Sequence, residues 1–324
     1  MNFPAVSPRA VASFVFGIFL LARPADAQTA APAQPSPPAA NASEAPPAPP
    51  ALRPPLPASA LAPAAVPPAV AIARPSSEEI AQTQAALEKF TIQLDAPTRA
   101  ILAKYPELLV VRPPRANPLL LPGLANGFRM KHALNVARIA QGPIDVLFMG
   151  DSITDWWRTT GKDVLAKTWG DLNIANFGIA GDTVQGVLYR LRDGEGEGFQ
   201  PKAIMLMIGT NNAGGASSAE IAEGVGAIVL DLRTRFPQAK ILLLGIFPRA
   251  DPGSALRNTV LGANPIIAKL DDGKNVFYLD IGGKFLAPDG TLPSDIMPDK
   301  LHPNAKGYGI WADAVKDKLA ELMK

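Results

Sequence analysis

Four short segments of the chain combine glycine with residues that can act as nucleophile, base or hydrogen-bond donor. Each lies after a run of apolar residues, and in chain order they are Gly150–Thr154, Asn176–Thr183, Gly209–Asn212 and Asp299–Pro303. The first contains Ser152, and the last places Asp299 three residues before His302. A serine hydroxyl is a poor nucleophile until a base takes its proton, and neutral imidazole suits that task near pH 7. The spacing in the last segment lets one turn bring the carboxylate against the imidazole.

The amino-acid composition narrows the choice of catalytic groups. The 324 residues include no cysteine, which excludes disulfides, thiolate catalysis and zinc–thiolate sites. Two histidines are present, so an imidazole base must be His132 or His302. His132 falls inside a predicted helix, four residues after Phe128, and we expect it to be a packed or surface residue. The formal charge of +2, without a run of Lys or Arg, argues against a nucleic-acid partner.

Apolar runs and helical patterns alternate through the C-terminal part of the chain, which predicts a parallel sheet flanked by helices. The five predicted strands are 144–149, 173–177, 203–208, 241–246 and 276–279. A helix is expected from Asn126 to Ala140, before the first strand, and another from about Asn304 to Met323 is expected to pack on the sheet. Ligands bind beyond the carboxyl ends of the strands in open parallel sheets, so we expect the four segments to share one rim.

The remainder of the chain divides by composition into three stretches. Residues 1–27 resemble a secretory signal, with an apolar run from Val11 to Ala22 and a small-residue cleavage site at 25–27. An uncleaved anchor is the alternative for this segment. Residues 28–77 form an Ala/Pro-rich linker that we expect to be disordered, because it cannot bury enough apolar surface to offset its ordering entropy. Residues 78–125 are predicted to be a helical lead-in, with Ser76 and Ser77 as candidate caps, and residues 126–324 to be the α/β domain.

The four segments, in this order, resemble the blocks of the SGNH (GDS-type) hydrolase superfamily. The stretch from Asn176 to Asn212 is most similar to the catalytic subunits of the intracellular platelet-activating-factor acetylhydrolases. The resemblance covers about Asn126 to Lys324. The predicted fold is a flavodoxin-like three-layer α/β/α sandwich with a five-stranded parallel sheet, preceded by the disordered Ala/Pro-rich linker. The resemblance implies no metal and no cofactor.

The same resemblance assigns roles to five residues. It implies Ser152 as the nucleophile, His302 as the base and Asp299 as the group that orients the imidazole. The oxyanion of the tetrahedral intermediate would be bound by the backbone N–H of Ser152, the backbone N–H of Gly181 and the side-chain amide of Asn211. Glycine suits the second of these positions because no Cβ obstructs the approach of substrate to the backbone.

Several neighbours of these residues have a simpler structural interpretation. We expect Asp151 to brace the loop before the nucleophile and Asp182 to cap the helix that follows it. Trp156 and Trp157 are expected to pack in the core, with the alternative that one of them walls the acyl pocket. The acidic, glycine-rich run Asp193–Gly198 is expected to be a solvated turn.

The sequence therefore predicts a serine esterase that cleaves short-chain, and above all acetyl, esters through an acyl-enzyme. The acetyl preference comes from the resemblance alone. The ester would belong to a small molecule or an O-acetylated carbohydrate, in a secreted or periplasmic setting, with no membrane span once the signal is removed. Two alternatives stay open: an acyltransferase that uses the same residues, and a non-catalytic binding module on the same fold. Oligomeric state is not predicted.

Overall fold

A five-stranded parallel sheet forms the centre of the computed structural model, which describes residues 49–324. The strands are β1 (Val146–Gly150), β2 (Ile174–Asn176), β3 (Ala203–Met207), β4 (Lys240–Leu244) and β5 (Val276–Leu279). They lie in the order β2-β1-β3-β4-β5, and every neighbouring pair is parallel. Each predicted strand is present within two residues of its expected ends, so the predicted α/β class and strand count are confirmed.

Helices cover both faces of this sheet. In the described part of the chain they are α1 (Ser77–Gln93), α2 (Ala96–Leu102), α3 (Arg129–Ile139), α4 (Ser152–Asp155), α5 (Lys162–Trp169), α6 (Val184–Arg190), α7 (Ser218–Arg235), α8 (Ala255–Ile267) and α9 (Ala305–Leu322). Helix α9 begins where expected, because the Asn304 side chain accepts the backbone N–H of Gly307 at 3.1 Å. The helix expected from Asn126 begins at Arg129, after one 3-10 turn.

Alternate residues of a strand point to opposite faces of the sheet and enter two separate cores. On β1, Leu147 and Met149 pack in the core that includes α6, α7 and α8, whereas Val146 and Phe148 pack in the core that includes α5 and α9. All four side chains are fully buried. Because both faces of the strand are covered, its sequence is apolar without interruption. The sheet between two layers of helices gives the three-layer architecture that was predicted.

The prediction of a disordered linker at residues 28–77 is wrong for much of its described part. Residues 28–48 lie outside the described residues, but residues 49–75 run along the α/β domain. The fully buried Glu223 carboxylate, on α7, accepts hydrogen bonds from Arg74 at 2.8 and 2.9 Å and from the Ile72 backbone N–H at 2.7 Å. Val70 is buried in the core that includes α7. The prolines limit the entropy that this extended segment loses, and the buried carboxylate requires these donors.

The helical lead-in is present and begins as the sequence predicts. The Ser76 hydroxyl accepts the Glu79 backbone N–H at 3.1 Å, and the Glu79 carboxylate accepts the Ser76 N–H at 2.7 Å, which caps α1. No residue of α1 is buried, whereas Asn117 and Leu119, which follow later in the lead-in, are buried. The lead-in therefore contacts the α/β domain mainly through its last part.

The signal predicted at residues 1–27 lies outside the described residues. Within residues 49–324, none of the helices has both the length and the apolar character needed to cross a membrane.

Candidate active site

Ser152 lies at the start of α4, directly after the carboxyl end of β1. Asp151 caps this short helix, because its Oδ1 accepts the backbone N–H of Ile153 at 3.0 Å. The turn requires glycine at position 150, where a Cβ would collide with the backbone oxygen of Met207. The strand and its capped turn therefore place the serine hydroxyl at the rim of the sheet.

His302 connects this serine to a carboxylate. Its Nε2 lies 2.9 Å from Ser152 Oγ, and its Nδ1 lies 2.6 Å from Asp299 Oδ2. Because an ionised carboxylate only accepts hydrogen bonds, it selects the ring tautomer with hydrogen on Nδ1 and leaves Nε2 able to take the serine proton. The structure thus brings together the three residues predicted as nucleophile, base and orienting acid. The His302 side chain is 16% exposed and that of Asp299 is 52% exposed, so solvent reaches this group.

The turn that carries Asp299 and His302 has a demanding backbone conformation. Asp299 Oδ1 accepts the backbone N–H groups of Leu301 at 3.0 Å and His302 at 2.7 Å. Lys300 has a φ of 58°, in the left-handed region that disfavours residues with a side chain. Its carbonyl accepts the backbone N–H of Ala250 at 2.8 Å. These hydrogen bonds offset the strain and fix the carboxylate beside the imidazole.

Asp299 is an ionised carboxylate at neutral pH. Partial burial acts to raise its pKa, but the hydrogen bonds from the His302 backbone and ring and from the Leu301 N–H outweigh burial and lower the pKa. An anionic Asp299 can stabilise the imidazolium that forms when His302 takes a proton.

The three predicted oxyanion donors follow three adjacent strands. Ser152 follows β1, Gly181 lies in the loop after β2, and Asn211 lies in the turn after β3, with β1 between the other two strands. Gly181 is exposed and has a φ of 84°, and a Cβ there would lie 3.3 Å from the Phe128 ring. A side chain would therefore be both strained and crowded. Asn211 Nδ2 donates one hydrogen to Asp182 O at 2.8 Å, which leaves its second hydrogen for a ligand.

Asp182 does not cap helix α6, contrary to the prediction. The cap is Thr183, whose hydroxyl accepts the backbone N–H of Gly186 at 3.4 Å. Asp182 is fully buried, and its Oδ2 accepts hydrogen bonds from Arg190 Nε at 2.9 Å and Nη2 at 2.8 Å. A buried guanidinium requires a carboxylate partner, and this requirement turns the Asp182 side chain inward.

Trp156 and Trp157 have different environments. Trp157 is fully buried among aromatic side chains of the core that includes α9, as predicted. Trp156 instead stacks on His302, with ring centroids 4.1 Å apart and an angle of 27° between the planes. Trp156 lies one helical turn after Ser152, a spacing that puts the two residues on the same side of the helix but does not distinguish a stack on His302 from packing in the core.

Asp151 braces the turn before the nucleophile, as predicted, and its side chain is buried. Burial raises the pKa of its carboxyl to about 7. The Ile153 backbone N–H and the charge of Arg249 oppose this rise, and the charge of Asp182 adds to it. The carboxyl therefore changes its charge near neutral pH.

His132 lies in a second group of ionisable side chains, which is buried. Its Nδ1 lies 2.8 Å from Glu195 Oε1 and its Nε2 lies 3.1 Å from Asp193 Oδ2, so the prediction of a packed residue is confirmed. The prediction of a solvated turn at 193–198 is wrong for these two carboxylates, which are buried because His132 and Arg190 provide partners. In the part of the chain that the structure describes, no group of His, Asp or Glu side chains is arranged to hold a metal ion.

Known proteins match the part of the chain that carries this site. The model of the GDSL-like Lipase/Acylhydrolase family matches residues 148–310, a range that includes all five predicted site residues. The chain is 36% identical to platelet-activating factor acetylhydrolase IB subunit alpha2 of Rattus norvegicus over 181 residues, which cover 56% of this chain and 78% of the relative. It is 32% identical to the same subunit of Gallus gallus over 216 residues, which cover 64% of this chain and 93% of the relative.

A solved structure from Streptococcus pneumonia, described by the words platelet activating factor, shares the fold. Its TM-score is 0.50 at 22% sequence identity, and the match covers 60% of this chain and 95% of the other.

Proposed function

The chain belongs to the GDSL-like lipase/acylhydrolase family and is a carboxylic ester hydrolase, and from that premise we propose that it cleaves short-chain esters through an acyl-enzyme on Ser152. One observation carries the proposal. Ser152 Oγ lies 2.9 Å from His302 Nε2, and His302 Nδ1 lies 2.6 Å from Asp299. A nucleophile bonded to a base, with the base oriented by a third group, is the arrangement that serine hydrolases use.

In the first half-reaction, Ser152 Oγ attacks the carbonyl carbon of the ester while its proton passes to His302 Nε2. The carbonyl oxygen becomes an oxyanion, and Asp299 stabilises the imidazolium. The tetrahedral intermediate then collapses, the bond to the alcohol oxygen breaks, and His302 Nε2 gives its proton to that oxygen. The alcohol leaves and the acyl group remains on Ser152.

In the second half-reaction, a water molecule replaces the alcohol. His302 Nε2 takes a proton from the water as its oxygen attacks the acyl carbon. The second tetrahedral intermediate collapses with cleavage of the bond to Ser152 Oγ, which recovers a proton from His302. The carboxylic acid leaves and the serine is regenerated.

Three donors would bind the oxyanion in both half-reactions: the N–H of Ser152, the N–H of Gly181 and the amide of Asn211. The exposure of Gly181, and the amide hydrogen of Asn211 that Asp182 does not use, support this assignment. Fixed donors of this kind act on charge that develops in the transition state, and each contributes about 2.7–4 kcal/mol.

Acetyl is the acyl group that we propose, and an O-acetylated carbohydrate outside the cytoplasm is the proposed carrier. The support for acetyl is the similarity to relatives named acetylhydrolases, at 36% identity over 181 residues. The support for the location is the signal-like sequence of residues 1–27.

An acyl-length series of para-nitrophenyl esters tests the reaction and the acyl group together. Wild type is compared with Ser152→Ala and, as a control, with Ser254→Ala, which removes a hydroxyl that caps α8. We expect the highest kcat/KM with acetate, background turnover with Ser152→Ala and near-normal turnover with the control.

Three other outcomes separate the parts of the proposal. Wild-type turnover by Ser152→Ala would contradict the nucleophile. A preference for octanoate over acetate would contradict the acetyl assignment alone. Acetylated sugar in place of acetate, when sugar acceptors are present, would make the enzyme an acyltransferase.

A further inference from the structure

We infer that Arg190 is a positioning residue for the oxyanion hole. It holds both ends of the loop that carries Gly181 and thereby sets the donors that stabilise the tetrahedral intermediate. The inference rests on the proposed acyl-enzyme mechanism, in which Gly181 and Asn211 bind the oxyanion.

Arg190 donates hydrogen bonds to both ends of the loop between β2 and α6. Its Nη1 donates to the carbonyl of Phe177 at 3.0 Å, where the loop begins. Its Nε and Nη2 donate to Asp182 Oδ2 at 2.9 and 2.8 Å, where the loop ends. The guanidinium is fully buried, so water cannot substitute for these contacts. The planar fork of an arginine can donate in these two directions at once, and the ammonium of a lysine cannot reproduce that geometry.

Asp182 links the two donors that are not on the nucleophile. Its peptide unit follows Gly181 directly, and its carbonyl accepts Asn211 Nδ2 at 2.8 Å. Asp182 also accepts the Thr183 backbone N–H on Oδ1 at 2.8 Å, so both of its carboxylate oxygens are fixed. A displaced Asp182 would therefore move the Gly181 N–H and rotate the Asn211 amide together.

Glu195 supports Arg190 from the side opposite to Asp182. Its Oε2 accepts a hydrogen bond from Arg190 Nη1, and its Oε1 lies 2.8 Å from His132 Nδ1 and 3.1 Å from Asn135 Nδ2. Burial acts to lower the pKa of Arg190, but the charges of Glu195 and Asp182 outweigh it and raise the pKa, so the guanidinium stays charged. Because Glu195 and Asp182 fix the position of the Arg190 guanidinium, the loop that Arg190 binds is fixed as well.

Asp182→Asn tests this role with the smallest change of shape. The amide oxygen can still accept the Thr183 N–H, but the amide nitrogen then faces the Arg190 donors. We expect kcat to fall by roughly 10- to 100-fold, less than the effect of deleting an oxyanion donor outright, with KM within about 3-fold of wild type. Glu223→Gln is the matched control, since Glu223 is an equally buried carboxylate bound by Arg74 and lies on α7. Its kcat should stay within about 2-fold of wild type, as expected of a change remote from the reaction.

Two further readouts separate positioning from general loss of structure. Phenylboronic acid forms a tetrahedral adduct with an active serine, and its affinity should fall in Asp182→Asn in parallel with kcat/KM. The double variant with Asn211→Ala should lose less than the product of the two single losses, because both changes act on the same donors. Arg190→Lys should lose kcat as Asp182→Asn does, because an ammonium cannot donate in both directions. Glu195→Gln should show the same pattern with a smaller loss, because Glu195 contacts Arg190 and not the loop.

The inference is overturned if folded Asp182→Asn or Glu195→Gln keeps wild-type kcat and boronic-acid affinity. It is also overturned if the losses of Asp182→Asn and Asn211→Ala multiply, or if Glu223→Gln loses kcat equally. A result in which Ser152→Ala remains active would instead overturn the proposed mechanism, so the two failures are distinguishable.

Discussion

The two histidines of this protein both contact carboxylates, but they are suited to different tasks. His302 places Nδ1 on Asp299 and Nε2 on the hydroxyl of Ser152. His132 places its ring nitrogens on Glu195 and Asp193. The side chain of His302 is 16% exposed and that of His132 is 3% exposed. The difference shows that a carboxylate partner does not make a base. A base also needs a second nitrogen that faces a nucleophile within reach of substrate.

Replacing each histidine with glutamine should give the largest difference in activity between the two sites. In His302→Gln, kcat should fall roughly 10⁴- to 10⁶-fold because no group remains to take the serine proton. In His132→Gln, kcat should fall by less than about 10-fold, while the free energy of unfolding should drop by about 1–3 kcal/mol because the buried carboxylates of Glu195 and Asp193 lose hydrogen bonds to the imidazole. Steady-state kinetics and urea unfolding measure the two effects. A kcat loss of similar size in both variants would contradict the division of roles.

The carboxylate of Asp299 should have the next largest effect. In Asp299→Asn, the amide oxygen can keep the turn hydrogen bonds, but the amide nitrogen faces His302 Nδ1 and selects the wrong tautomer. We expect kcat to fall by up to about 10⁴-fold. Asp295→Asn is the control, because Asp295 is an exposed carboxylate that pairs with Lys306 in the first turn of α9. If Asp299→Asn and Asp295→Asn have equal kcat, Asp299 does not orient the base.

Replacing the aromatic neighbours of the two histidines should have a smaller effect on kcat/KM than replacing Asp299. Trp156 presents its ring face to His302, whereas Tyr189 meets His132 at 80° with ring centroids 6.4 Å apart. A cation over an indole face gains about 0.5–2 kcal/mol, so Trp156→Leu should lower kcat/KM by roughly 3- to 30-fold. Trp156→Phe should retain most of the activity, and Tyr189→Phe should have wild-type kcat/KM. Equal losses for the leucine and phenylalanine variants would show that the ring face has no such effect.

Asp151 should show the smallest effect on catalysis and a distinct effect on stability. Since burial raises its folded pKa to about 7, the folded protein holds more protons than the unfolded chain between about pH 4 and pH 7. Stability that this group contributes below pH 4 is therefore lost as the pH rises through 7. The amide that replaces this carboxyl in Asp151→Asn stays neutral. The free energy of unfolding of Asp151→Asn should therefore rise relative to that of wild type as the pH increases from about 4 to about 7. A constant difference between the two proteins from pH 4 to pH 8 would contradict the raised pKa.

Local patterns predict the strands and the turn that holds the acid and base, whereas the roles of Ser152, Gly181 and Asn211 follow from the resemblance to the SGNH hydrolases. Apolar runs locate the strands, and the three-residue spacing of Asp299 and His302 locates the acid and base. Trp156 illustrates the limit of this reasoning, because its spacing from Ser152 matches a stack and a packed core equally well. The stack becomes evident only when the turn carrying His302 is in place.

Buried charges account for most of what the sequence does not predict. Asp182 resembles a helix cap until its partner Arg190, eight residues later, is known to be buried. Residues 49–75 have the composition of a disordered linker, but Arg74 binds Glu223, 149 positions away in the chain. In each case, the pairing of a buried charge overrides the local pattern.

The most direct test of the account is to detect the acyl-enzyme. Wild type and Ser152→Ala are mixed with para-nitrophenyl acetate, quenched in acid at short times, digested and measured by peptide mass spectrometry. In wild type we predict a burst of nitrophenol and one acetyl group on Ser152, and this acetyl group should disappear once the substrate is consumed. Ser152→Ala should show neither signal. An acetyl group on another residue, or turnover by Ser152→Ala at the wild-type rate, would contradict the account.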